Sequence, residues 1–240
     1  MRYLIELAYN GTNYQGWQVQ PNGITVQAIL NNALSVVLRQ SIEIMGCGRT
    51  DAGVHAKQYF AHFDCNIELP SNLIKSLNGI LPYDIAVYEI LPIAPDFNAR
   101  FNAKLRTYQY HIIYDKNPFL QNLAVRWHQD LNIDLMNEAC QNLLGEKDFN
   151  CFSKSRSDVN NYICTIKQAE WKIEDNILIF EITANRFLRS MVRAIVGTLA
   201  MVGEGKISIE SVSEIIESKD RKMAGMSVPA HGLYLTKIIY

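Results

Sequence analysis

The residues of this chain best suited to chemistry lie in one short run, Gly46-Cys47-Gly48-Arg49-Thr50-Asp51-Ala52-Gly53-Val54-His55-Ala56. Its glycines allow tight turning or close approach to a ligand, and they bracket an arginine and an aspartate two positions apart. In extended backbone those two side chains point the same way. Asp51 is the candidate catalytic carboxylate, although an aspartate in a glycine-rich turn also commonly hydrogen-bonds its own backbone. A phosphate cradle fits poorly: there is no Gly-Lys-Ser/Thr ending, and the carboxylate would repel the anion.

Two further clusters carry cations. In Phe97-Asn98-Ala99-Arg100-Phe101-Asn102-Ala103-Lys104-Leu105-Arg106-Thr107-Tyr108-Gln109-Tyr110, the cations Arg100, Lys104 and Arg106 alternate with aromatic rings. That suits a surface where cations hold phosphates and rings stack on bases, and it equally suits a polar strand edge. Around Phe187 to Val202, apolar residues recur at helical spacing, and Arg186, Arg189 and Arg193 fall on a stripe away from that face. No acidic residue lies between Glu181 and Glu204 to neutralise them, which favours an anionic partner. Near the N-terminus, Tyr9 to Gln20 forms a loop dense in aromatics and amides, fit to embrace nucleotides or to pack under a sheet.

The elements that must position these residues are legible in outline. Strands are expected at Arg2 to Tyr9, Ile42 to Cys47, Gln58 to Asp64, Ile85 to Ile90 and Leu105 to Tyr114. Between them fall a helix capped by Thr25 and a short one opened by Pro70-Ser71. Later come a helix from Asp134, ended by Gly145, and a hairpin of Thr165 to Ile173 with Ile177 to Ala184. A long helix from about Phe187 to Val202, another at Ile209 to Ser218, and a strand at Leu233 to Ile239 complete the chain. Helices interspersed with hairpins predict an α+β fold with a largely antiparallel sheet, in two halves, 1–104 and 105–240. Ser153 to Asp158 is the best candidate for a mobile loop.

Composition narrows the class. The 240 residues are 48% hydrophobic and 20% charged, as in ordinary soluble domains, and no apolar run approaches the roughly 20 residues that span a bilayer. Glu6 interrupts any secretory signal, so a cytoplasmic protein is expected. The five cysteines are odd in number and include no Cys-x-x-Cys, and the five histidines show no metal-ligand spacing. With a formal charge of −1, nucleic-acid contact must come from local basic patches.

Taken together and in order, these stretches resemble the TruA family of pseudouridine synthases. Gly48-Arg49-Thr50-Asp51-Ala52-Gly53-Val54-His55 is similar to its signature loop, and Tyr14-x-Gly16-Trp17-Gln18-x-Gln20 to its N-terminal loop. Leu81-Pro82-x-Asp84-Ile85, Phe97-x-Ala99-Arg100-Phe101, Tyr108-x-Tyr110, Phe187-Leu188-x-x-Met191-Val192-Arg193-x-Ile195-Val196-Gly197 and Gly232-Leu233-Tyr234-Leu235 match as well. The resemblance implies the pseudouridine synthase fold, two RRM-like or ferredoxin-like halves forming one largely antiparallel sheet flanked by helices. It also implies conversion of uridine to pseudouridine in the tRNA anticodon stem-loop, at positions about 38 to 40, by a homodimer needing no cofactor or metal. On that basis Asp51, Tyr108 and Arg193 are expected to be catalytic, and Arg49, Tyr108, Arg100, Arg106, Arg186 and Arg189 to bind substrate. Asp51 would be the nucleophile, at base or sugar, kept charged by Arg193; Arg49 would hold the flipped nucleotide, and Tyr108 would stack on the uracil. The chain departs from the family at Cys164, where relatives commonly carry arginine, and at Arg189-Ser190, where they often have histidines. Competing expectations are the same chemistry on another RNA site, or a non-catalytic RRM-like RNA-binding protein, though no RNP1 pattern is found. A hydrolase is disfavoured because no second carboxylate or histidine sits at informative spacing.

Overall fold

The computed structural model describes residues 1–154 and 161–240, so the expected mobile loop lies outside the described residues from position 155 on. In chain order the elements are β1 (Arg2–Tyr9), α1 (Val26–Leu38), β2 (Met45–Gly46), β3 (His55–Asp64), α2 (Leu73–Ile80), β4 (Ile85–Ile93) and β5 (Leu105–Ile113). There follow β6 (Val125–Arg126), α3 (Ile133–Cys140), β7 (Gly145–Asp148), β8 (Ile163–Glu174), β9 (Ile177–Ala184), α4 (Met191–Gly203), α5 (Ser211–Ser218) and β10 (Leu233–Ile239). The fold is α+β, with mainly antiparallel pairing.

The chain divides into two compact units, Met1–Lys104 with Tyr234–Tyr240, and Leu105–Leu233. In the first, β1 runs antiparallel between β4 and β3, and β2 adds to β3. Strand β10 pairs with β3 in parallel, Tyr234 opposite His55. The terminal strand, read from its place in the chain as part of 105–240, therefore belongs to the first unit: parallel pairing joins strands distant in sequence, and only the folded register reveals it. Ile5, Leu7, Tyr59 and Phe63 are wholly or almost wholly buried with Leu30 and Leu34 of α1 and Leu77 of α2, so alternate strand positions and one helix stripe make this core.

The second unit has strand order β5-β9-β8-β7, all antiparallel, with β6 beside β5. The β8–β9 hairpin turns on Asp175 and Asn176, both at positive φ (49° and 61°), the conformation that matches strand twist in a two-residue turn. Its core includes Ile112, Phe180, Ile182, Ile195 and Leu199. Helix α4 is apolar on nearly every face, as a helix inside a core should be. Among the described residues, no helix is long and apolar enough to cross a membrane.

The helix expected to run from Asp134 to Gly145 ends at Cys140, a 3-10 turn follows, and Gly145 instead opens β7. Two further elements differ from expectation for identifiable reasons. The Ile42 to Cys47 strand shrinks to β2, because the N–H groups of Ile42 and Ile44 bond instead to Ser35 Oγ (2.9 Å) and Asn31 Oδ1 (3.0 Å) of α1. Helix α4 begins at Met191 rather than Phe187, since Ser190 sits at φ 61°, a left-handed backbone that breaks helical continuity. Arg186 and Arg189 therefore precede the helix, and the expected arginine stripe is not a helical one.

Candidate active site

Asp51 lies in the loop between β2 and β3, held from several sides within the first unit. Thr50 turns inward and shares a hydrogen bond with the Tyr9 hydroxyl (2.8 Å), while Asp51 is half-buried and Arg49 exposed. A turn follows in which Val54 N–H donates to the Asp51 carbonyl (3.2 Å) and Gly53 takes φ 78°, as the third residue of a type II turn requires. Upstream, the Tyr59 hydroxyl donates to the Gly48 carbonyl, and Cys47 N–H to that of Phe60 (2.8 Å).

The N-terminal loop supplies the other side of this brace. Trp17 N–H donates to the Thr50 carbonyl (3.2 Å), and the Tyr14 carbonyl accepts from Gly53 N–H (3.3 Å). Such backbone contact needs a residue without a side chain. At Gly16, φ is 85°, and a Cβ would come within 2.4 Å of the Thr50 carbonyl oxygen. The Trp17 ring, buried, stacks on Tyr59 at 4.0 Å between centroids, with Tyr9 tilted against both. Asp84 anchors the outer end, accepting from the Tyr14 hydroxyl and from Asn13 Nδ2 (3.1 Å). Burial, and then this bond, raise the Tyr14 pKa, so the phenol stays protonated.

His55 closes the loop. Its Nδ1 accepts from Gly11 N–H (3.0 Å), and its ring stacks on Tyr234 at 4.6 Å. An imidazole accepting at Nδ1 carries its proton, when neutral, at Nε2. It was not among the site residues expected from sequence, although the histidine ending a glycine-rich run was a usable signal.

In the second unit the expected cations come from separate segments. Arg106 of β5 donates to the Asn185 carbonyl (2.9 Å), Arg186 to Asn161 Oδ1 (3.1 Å), and Arg193 of α4 to the Val228 carbonyl (2.6 Å). Arg189 is exposed. The Arg193 contact is reinforced by Val228 N–H donating to the Arg193 carbonyl (3.2 Å). The 224–229 segment is itself pinned: Arg221 donates to the Ala224 and Gly225 carbonyls, Gly225 N–H to Thr198 Oγ1 (2.8 Å), and the Tyr110 hydroxyl to the Pro229 carbonyl (2.8 Å). Burial and then the Arg193 charge push the His231 pKa down, favouring the neutral ring. Tyr108 is buried on β5 and meets Phe187 edge to face at 5.1 Å.

Arg100 belongs to an exposed turn of the first unit. Its neighbour Ala99 is fixed to β3, its N–H donating to His62 Nδ1 (3.1 Å) and its carbonyl accepting from the Tyr240 hydroxyl (2.9 Å). Among the described residues no cluster of His, Cys, Asp and Glu is arranged to hold a metal ion. All five cysteines are buried, and burial pushes the Cys164 thiol up to about 11, which makes it a poor nucleophile near neutral pH. A groove of about 390 Å³, lined by Asn137, Lys167, Glu170 and Trp171 among others, contains none of the candidate residues.

A family model described as tRNA pseudouridine synthase matches residues 139–240. The tRNA pseudouridine synthase A of Azobacteroides pseudotrichonymphae is 52% identical over 240 residues, covering 100% of this chain and 96% of the relative. The chain belongs to the tRNA pseudouridine synthase A family. Proteins of the same description from Parabacteroides distasonis and Porphyromonas gingivalis are 48% and 46% identical, each covering 100% of this chain and 96% and 97% of their own lengths. Pseudouridine synthases are isomerases, so membership makes this chain an enzyme of that class. It also corroborates the family resemblance carried by the signature loop. Cys164, the departure noted from the family resemblance, is fully buried.

Proposed function

We propose that this chain converts uridine to pseudouridine in the anticodon stem-loop of tRNA, at positions about 38 to 40, with Asp51 as nucleophile. It does so in the cytoplasm, as a homodimer, without a cofactor. The coarser activity, isomerisation of uridine in tRNA, follows from full-length family membership. For the role of Asp51 the carrying observation is the bracing of its loop: the carboxylate is half-buried on a segment tied down through Thr50, Gly53 and Gly48.

The reaction breaks the C1′–N1 bond, turns the uracil, and joins C5 to C1′; C5 loses a proton and N1 gains one. Atoms and electrons balance within the substrate and water, so no oxidant or reductant is consumed. The target must leave its stack, at a cost of a few kcal/mol. Arg49, exposed within the loop, has the planar fork to hold a displaced nucleotide. To attack, Asp51 must be ionised in a water-poor setting, which requires a cation, and we assign that role to Arg193. Tyr108 offers a ring for the uracil and a hydroxyl for proton transfer. Arg100, Arg106, Arg186 and Arg189 are assigned to the RNA backbone.

Asp51→Asn tests this directly. Turnover on unmodified tRNA should fall by at least about 10³-fold while tRNA binding and thermal melting persist. Turnover near the wild-type rate would refute the assignment of Asp51.

A further inference from the structure

Phe101 stands 76% exposed on a turn held by several hydrogen bonds. Looseness is not the cause. Asn98 Oδ1 accepts the N–H groups of Arg100 (2.9 Å) and Phe101 (3.2 Å). Asn98 N–H donates to Asn102 Oδ1 (2.7 Å), and Asn102 N–H returns to the Asn98 carbonyl (2.9 Å). With Ala99 fully buried and bonded to β3 and β10's flank, the turn is nailed down at one residue and presents the next two outward. The Arg100 guanidinium lies 5.4 Å from the Phe101 ring centre, so cation and ring form one exposed face.

Arg100 puts one exposed cation on this turn. Lys104, also exposed, follows on the same segment. Of the nearby acids, Asp64 is held by Arg2 through two hydrogen bonds (2.9 and 2.7 Å), and Asp96 also lies in the field of Arg2. A flat apolar face beside a guanidinium and an ammonium matches an unpaired base with its phosphates better than it matches a protein surface.

Resting on the tRNA-modifying reading above, we infer that Phe101 stacks on an unpaired base of the tRNA other than the target uridine, with Arg100 on the adjoining phosphate. The target itself is excluded because a ring this exposed cannot build the water-poor pocket that the chemistry needs. Phe101 is thus a substrate-positioning contact, felt in binding rather than in the chemical step.

The test uses the full-length protein with unmodified tRNA transcript, following pseudouridine formation and equilibrium binding over a range of salt concentrations. Phe101→Ala should raise KM and Kd by about 5- to 150-fold, as loss of one base stack does, with the loss falling on KM rather than kcat and the salt slope retained. Phe101→Tyr should restore binding, Phe101→Leu should not, and Arg100→Ala should lower the salt slope by about one. Unchanged KM in Phe101→Ala, or full rescue by leucine, would overturn the inference. So would a loss of affinity that tracks dissociation of the protein's own oligomer in sedimentation, since the face would then be a self-contact. Wild-type protein inactive on every tRNA would instead overturn the functional reading, which keeps the two failures distinct.

Discussion

The two units hold their charged residues by different means. Around Asp51 the constraint is backbone on backbone: carbonyls and N–H groups of the N-terminal loop meet those of the Gly48–Val54 loop, and Gly16 makes the approach possible. In the second unit, guanidinium groups reach from β5, the 185–190 segment and α4 to uncharged oxygens at Asn185, Asn161 and Val228. Such uncharged acceptors orient a cation without cancelling its charge. A reacting carboxylate needs fixed geometry to within fractions of an ångström, whereas cations that grip phosphates need charge more than angle. On our reading, the first unit is built for placement and the second largely for charge.

Arg193 is the exception, and it offers the sharpest way to break the comparison. Its Nε is committed to Val228, so it should behave as a placed residue: Arg193→Ala should cost on the order of 10²-fold in kcat. Arg193→Lys should recover little of that, because an ammonium cannot reproduce the planar fork. Single-turnover rates decide the matter, and full activity in the lysine variant would show that charge alone suffices.

Next in size is Gly16→Ala, which both strains a positive φ and drives a methyl into the Thr50 carbonyl. A stability loss of about 2 to 3 kcal/mol in denaturant unfolding is expected, with turnover reduced at temperatures where the variant remains folded. If turnover per folded molecule is unaffected, the brace is not what places Asp51.

Smaller still is Arg189→Ala. As an exposed cation it should change affinity through ion release, lowering the slope of log K against log salt by about one, with kcat preserved. An unchanged slope would remove Arg189 from the phosphate contacts.

The smallest effect is a tilt with pH. Burial, and then Arg2, hold the His62 pKa below its ordinary value, and its Nδ1 accepts from Ala99 N–H. The unfolded chain therefore binds a proton here before the folded one does. This contribution to stability is present above about pH 6.5 and is lost as pH falls through the folded value. Between about pH 7 and pH 5, the melting temperature of wild type should fall more steeply than that of His62→Asn; parallel slopes would mean that the histidine charges without cost.

How much of this was legible beforehand varies element by element. The limits of β1, β9 and β10 could be read from alternation and turn residues, because those strands carry one buried face and end at polar breaks. Thr25 announced α1 and does cap it, accepting from Ala28 N–H (3.3 Å). By contrast, the apolar spacing through Phe187 and Leu188 mimicked a helix start, and nothing in residue type signals that Ser190 adopts a left-handed backbone. Likewise Ile42 and Ile44 look like strand residues and are buried, yet their N–H groups bond to helix side chains that a linear pattern cannot see.

The sequence by itself determined most of the secondary-structure plan and the family, because periodicity, caps and glycine placement are local properties and the signature loop is contiguous. Only the tertiary structure decided that loop 10–24 braces Asp51, that β10 returns to β3, and that Arg193 is oriented by Val228. Those are hydrogen bonds between groups far apart in the chain, whose partners are chosen by packing once the whole chain has closed around its cores.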